Sequence, residues 1–139
     1  MANMTNPHLA DLAAWGIHHQ RNCAGLSQPQ LAARIAAAGY TTPTWRVLQN
    51  IARRRRDPTI DDVAAVAAAL NIPPLLVMFP PAQPEVILAG RRADTWQAAL
   101  WWSGEAPRPY LAGVTGWEAG AAPAILRRRH EQHLREWRT

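Results

Sequence analysis

Arg46, Gln49, Asn50 and Arg53 fall within two helical turns of one another in "TTPTWRVLQNIARRRRDPT", residues 41 to 59. A guanidinium fork matches the O6 and N7 acceptors of guanine, and a carboxamide matches N6 and N7 of adenine. Each well-formed bidentate contact of this kind contributes roughly 1–3 kcal/mol of discrimination against a wrong base. Val47, Leu48 and Ile51 interleave with these residues at helical spacing, so one face is aliphatic. That face is expected inside the protein, leaving Trp45, Arg46, Gln49, Asn50 and Arg53 outside. Arg54, Arg55 and Arg56 follow at once. Arginine forks also grip phosphates, a contact that sets register without reading sequence. A polar, arginine-bearing outer face is equally what any solvated helix presents, so this helix alone leaves both readings open.

The rest of the composition bounds the partners. The chain has 139 residues, 48% hydrophobic and 18% charged, which suits a folded protein of one domain or a small domain plus an extension. Net charge is +5, the pI is 10.9, and all fifteen basic residues are arginine. The clusters 53–56 and 127–129 say more than the total does. Cys23 is the single cysteine and no CxxC pair exists, so neither an internal disulfide nor a cysteine zinc site is expected. It reads as a small packed residue without an ordered base partner. The N-terminus lacks the pattern of a signal peptide, and "IPPLLVMFPPA" is too short and proline-broken to span a bilayer. A soluble, cytoplasmic protein without membrane contact is expected.

The elements that must hold this chemistry are marked by caps. Asn6 is expected to cap a first helix with Pro7 at its first position, Leu9, Leu12, Ala13 and Ile17 facing inward, and Gly25 just beyond its end. Ser27 and Gln30 form a capping box for the second helix, with Leu26 and Leu31 as a hydrophobic staple and Gly39 at the far end. The third helix starts at Thr42 or Thr44. Thr59 caps the fourth, Asp61 and Asp62 sit in its first turn, and Ile60, Val63, Ala67 and Leu70 form its stripe up to Asn71. "PPLLVMF" (73–79) reads as a short fifth helix. "PPAQP" (80–84) reads as a Pro-rich linker between 7–79 and an extension over 85–139. Within the extension, "EVILAG" reads as a short strand, 93–102 as a helix capped by Asp94, and 124–137 as another helix.

The order of these parts resembles the lambda-repressor-like (XRE/Cro-type) helix-turn-helix family. The resemblance rests on Leu26, Ser27, Gln28, Leu31, Ala32, Ile51, Arg55, Arg56, Pro58, Ile60, Ala67 and Leu70, and covers about residues 9–79. The long "AAAGYTTPT" connection is similar to that of actinobacterial and phage members. The resemblance implies a mostly α fold with a five-helix domain, to which the residues of 85–139 add a small Trp-rich, mainly helical C-terminal extension. It implies that the third helix, with Thr44 as the favoured cap, reads bases through Trp45, Arg46, Gln49, Asn50 and Arg53. It implies phosphate contacts from Arg21, Ser27, Gln28, Thr44, Arg54, Arg55 and Arg56. Where the family has Glu and then Gly after the helix-three Ile, this chain has Ala52 and Arg54. Loss of the Gly removes the easy left-handed ending, so the helix is expected to run on through the arginines. Trp45 is unusual at a base-facing place, and packing on Tyr40 is favoured over stacking on sugars or thymine methyls.

The expected activity is sequence-specific repression by occupying an operator in double-stranded DNA, as in a phage or prophage immunity repressor. The alternatives are an autoregulating antitoxin, whose extension binds a toxin, and a protein-interaction module using the same surface. Arg127, Arg128 and Arg129 are either an accessory DNA contact or a solvated helix face. The tryptophans of 85–139 either form a homodimer interface or cover the core. His130 and His133 lack a third ligand, so no metal is expected. Without a phosphate-cradling glycine loop or nucleophile elbow, neither an enzyme nor a cofactor is expected.

Overall fold

The computed structural model describes residues 6–80 and 83–105, together with Gln132 and Arg135. Among them are six helices and one hairpin: α1 (Leu9–Cys23), α2 (Gln28–Ala37), α3 (Trp45–Ala52), α4 (Ile60–Leu70), α5 (Pro74–Met78), β1 (Glu85–Leu88), β2 (Arg91–Asp94) and α6 (Thr95–Trp102). The chain is mostly helical, and no helix among the described residues is long and apolar enough to cross a membrane.

The starts of the helices follow local hydrogen-bond chemistry. Ser27 Oγ accepts from the Gln30 N–H, and the Gln30 side chain accepts from the Ser27 N–H at 2.8 Å. Thr44 Oγ1 accepts from the Val47 N–H at 3.3 Å, so Thr44 rather than Thr42 starts α3. Thr59 and Asp62 form the same reciprocal pair at α4, and Asp94 accepts from the Gln97 N–H at α6. Each cap satisfies donors that would otherwise be orphaned, typically about 1 kcal/mol apiece. Asn71 closes α4 in a left-handed conformation.

The structure departs from expectation at five places. First, α1 starts at Leu9 behind His8, not at Pro7 behind Asn6. The Pro7 carbonyl accepts from the Ile87 N–H at 2.7 Å and the His8 N–H donates to Asp11 Oδ2 at 2.9 Å, which holds residues 7 and 8 extended beside β1. Second, α3 ends at Ala52 instead of continuing through the arginines. Arg54 itself takes the left-handed conformation (φ 54°), with its N–H bonded to the Ile51 carbonyl. Third, Ile60 is 80% exposed, so the inner stripe of α4 is Val63, Val66 and Ala67.

Fourth, Pro80 and Gln83, within the stretch expected as a Pro-rich linker, are buried; residues 81 and 82 lie outside the described set. Fifth, the expected strand and the helix capped by Asp94 are present as β1 and α6, but a second strand, β2, lies between them and pairs with β1, Glu85 facing Asp94 and Leu88 facing Arg91. The expected helix over 124–137 lies outside the described residues except for Gln132 and Arg135, which are helical and exposed.

Two apolar clusters share α1. Ile17, Leu31, Ile35, Leu48, Ile51, Val63, Val66 and Val77 join α1 to α2, α3, α4 and α5. Leu12, on another side of α1, packs with Phe79, Val86, Leu88, Ala98 and Ala99. Side chains one residue apart on a helix diverge by about 100°, so Leu12 and Ala13 serve different clusters. The approach of α1 to α5 is close: a Cβ built on Gly16 would lie 1.7 Å from the Val77 carbonyl oxygen. The Trp101 and Trp102 rings diverge as adjacent helical residues must. Trp102 meets Phe79 edge-on at 5.8 Å between centroids.

Candidate nucleic-acid interface

Leu48 and Ile51 are buried beneath α3, and Val47 is half-buried at their edge. That fixes which way the rest of α3 faces. Trp45 is 50% exposed and Arg46 is exposed, while Gln49 and Asn50 are half-buried along the flanks. Arg53 is the exposed C-cap. Among the described residues α3 packs on α1 and α2, so the hairpin and α6 leave its outer face open. Tyr40, on which Trp45 is expected to pack, is itself 43% exposed.

The side chains of the arginine run divide by partner. Arg54 Nη2 bonds Asp11 Oδ1 at 2.6 Å and Asp57 Oδ1 at 2.9 Å, tying the end of α3 to the start of α1. Arg56 Nη2 lies 3.5 Å from the buried Asp62 carboxylate. Both arginines were expected on phosphates; both hold the protein to itself. The side chains of Arg46, Arg53 and Arg55 have no hydrogen bond or ion pair among the described residues. They lie at the start and end of α3 and just past it. The Asp11 carboxyl is pushed up by burial, but the His8 N–H and the Arg54 guanidinium outweigh this and hold it below the usual carboxylate range.

Asp62 organises the junction on either side of α3. Its Oδ2 accepts from the Thr59 N–H at 2.9 Å, and its Oδ1 accepts from the Thr42 hydroxyl at 3.1 Å. One buried carboxylate thus joins the α2–α3 connection, the basic run and the first turn of α4. Its place in "TIDD" reads as a surface acid favoured by the helix dipole. No local signal shows that Thr42 and Arg56 fold over it.

At the other end, Ser27 is exposed at the start of α2 and Gln28 is half-buried beside α1 and α3. Arg21, expected on a phosphate, is also committed internally. Its Nη1 donates to the Leu26 carbonyl at 2.7 Å, closing the α1–α2 turn, and its Nη2 meets His18 Nδ1 at 3.1 Å. Arginine has no acceptor, so His18 Nδ1 must carry a lone pair and the neutral ring holds its hydrogen on Nε2. The Asn22 amide stands 3.0 Å from Nε2 and has to offer its oxygen there.

Burial, then the charge of Arg21, then His19 hold the His18 pKa below the ordinary histidine value. The folded ring binds a proton less well than the unfolded one, so its stabilisation is intact above about pH 6.5 and is lost as pH falls through the lowered value. The urea midpoint is expected to drop between pH 7.5 and pH 5, and to drop less in His18→Gln. Equal drops in both proteins would remove His18 as the cause.

Cys23 is exposed rather than packed, and an imidazole does face it: His19 Nε2 lies 3.6 Å from Sγ, one turn away, with the ring stacked on Trp15 at 4.7 Å. No group of three or more His, Cys, Asp or Glu among the described residues is placed to hold a metal ion. Arg127, Arg128, Arg129, His130 and His133 lie outside the described residues. Comparison of the chain with protein-family models, with curated proteins and with solved structures returned no match.

Proposed function

We propose that the protein is a sequence-specific DNA-binding repressor in which α2 and α3 form a helix-turn-helix and α3 enters the major groove. The observation that carries this reading is the division of α3. Leu48 and Ile51 anchor it from below, while Arg46, exposed and without an internal partner, stands on its outer face between half-exposed Trp45 and the flank carboxamides Gln49 and Asn50. The resemblance of residues 9–79 to the lambda-repressor-like family supports the same reading. In this arrangement Arg46, Gln49 and Asn50 address base edges, and Trp45 meets sugars or thymine methyls. Arg53 and Arg55, with the hydroxyls and amides at Ser27, Gln28 and Thr44, take the phosphates. Arg21, Arg54 and Arg56 shape the surface that carries these contacts.

Selection of bound sequences from random duplex DNA tests the proposal. A preferred site is expected, with Arg46→Ala and Gln49→Ala each relaxing preference at one or two positions by roughly 1–3 kcal/mol. Arg55→Ala is expected to weaken all duplexes alike and to reduce the salt slope by about one. Recovery of no preferred sequence, or full binding by all three variants, would leave a protein-interaction role for this face instead.

A further inference from the structure

Trp45 is the largest apolar side chain of α3, yet it is 50% exposed. Its side chain makes no hydrogen bond, and its rings meet no other ring among the described residues. Successive residues of a helix diverge by about 100°, so Trp45 and Arg46 point apart. Gln49, one turn on, falls about 40° from Trp45 and about 60° from Arg46. Side chains four residues apart stand side by side, their Cβ atoms about 5–6 Å from each other. Indole, carboxamide and guanidinium therefore form one continuous strip, apolar at one end and charged at the other.

Duplex DNA carries a counterpart to this strip. Thymine alone among the four bases shows a methyl group in the major groove. Its partner adenine shows the N6 donor and N7 acceptor that a carboxamide matches. A T·A pair thus sets an apolar knob beside a bidentate amide site, as Trp45 stands beside Gln49. A phosphate is a poorer match for the indole, whose one polar group is a donor and whose faces are apolar. Arg53 and Arg55, exposed and without internal partners for their side chains, suit the backbone better.

Resting on the helix-turn-helix reading above, we propose that Trp45 and Gln49 act as a unit that reads one T·A base pair. Trp45 covers the thymine 5-methyl and Gln49 bonds the adenine, while Arg46 takes a guanine of the adjacent pair. The ligand is then a duplex with a 5-methyl pyrimidine beside that guanine. In 5-methylcytosine the methyl stands at the same place in the groove. Methylation of a cytosine at this position would restore the apolar half of the contact and leave the adenine half unmade.

The test starts from the sequence that the full chain selects from random duplex DNA. Gln49→Ala locates the adenine, as the position where preference relaxes, and Arg46→Ala locates the guanine in the same way. Deoxyuridine is then placed at each thymine in turn, which deletes the methyl and keeps the pairing. Uracil opposite the Gln49 adenine is expected to weaken binding by the parent chain about fourfold, the effect of burying one methyl. Uracil at the other thymines should change little. In Trp45→Ala and in Trp45→Gln the fourfold difference should vanish, whereas Arg46→Ala should keep it. With cytosine at that thymine's place, 5-methylation should recover about fourfold in the parent. Selection of no preferred sequence would remove the helix-turn-helix reading and this pair with it. A preferred site bound equally with thymine and uracil would leave that reading and overturn the pair. So would a methyl effect only at other thymines, or one that survives both Trp45 substitutions. The uracil scan needs no variant at Trp45, so it decides even where those variants do not fold.

Discussion

Replacing Gly16 with alanine is expected to destabilise the fold by about 3 kcal/mol, the upper range of overpacking costs. At an open helical position the same change would stabilise by about 1 kcal/mol, because alanine is the better helix former. The sign is therefore diagnostic. The added methyl would sit 1.7 Å from the Val77 carbonyl oxygen. That oxygen belongs to backbone and cannot swing aside as a long side chain would. Relief requires α1 and α5 to part, which opens the packing of Ile17 on Val77 and lengthens the bond from Gln20 Nε2 to the Leu76 carbonyl, already 3.5 Å. Urea denaturation measures the change, and a raised midpoint in Gly16→Ala would show that the helices do not approach as described.

Asp62→Ala is expected to cost a similar amount, about 3 kcal/mol, for a different reason. The carboxylate is fully buried, and its removal leaves the Thr59 N–H, the Thr42 hydroxyl and Arg56 without their acceptor. Asp61→Ala, in the same turn but exposed, should lose only the few tenths of a kcal/mol that an acid gains from a helix start. Asp62→Asn keeps the shape and one good acceptor, and should fall between. Equal midpoints for the Asp61 and Asp62 variants would show that burial of Asp62 contributes nothing. Where DNA binding is intact in the parent, Asp62→Ala should also weaken it, since Thr42 and Arg56 flank the helix proposed to read bases.

What could be read in advance was what is local. Ser27 with Gln30, Thr59 with Asp62 and Asp94 with Gln97 are each three residues apart, so these caps are visible in the order of residues alone, whereas that order leaves α3 to start at Thr42 or Thr44. The inner side of α3 was visible for the same reason, because Leu48 and Ile51 are a turn apart. What stayed hidden depends on partners far along the chain. Residue 87 decides where α1 starts, by engaging the Pro7 carbonyl. Gly16 looks dispensable until Val77 is placed against it. β2 is "RRAD", which has one buried apolar residue, Ala93, and so carries no alternation.

The candidate interface shows the same limit. Arginines at 21, 54 and 56 carry the composition of phosphate ligands, but Leu26, Asp11 and Asp62 occupy them. Arg54 also shows propensity overridden. A left-handed arginine is unfavourable by roughly 1–2 kcal/mol. Two carboxylates hold it there, and α3 ends where a glycine would have ended it.

The double use of α1 has a consequence for synthesis on the ribosome. Ile17 finds neighbours as soon as α2 and α3 emerge, but Leu12 is covered by Phe79, Val86 and Leu88, which follow on the order of seventy residues later. At typical elongation rates that interval is on the order of ten seconds. During it a nascent chain shows a greasy strip on an otherwise docked first helix, an address that a holdase chaperone can read and that the finished hairpin erases.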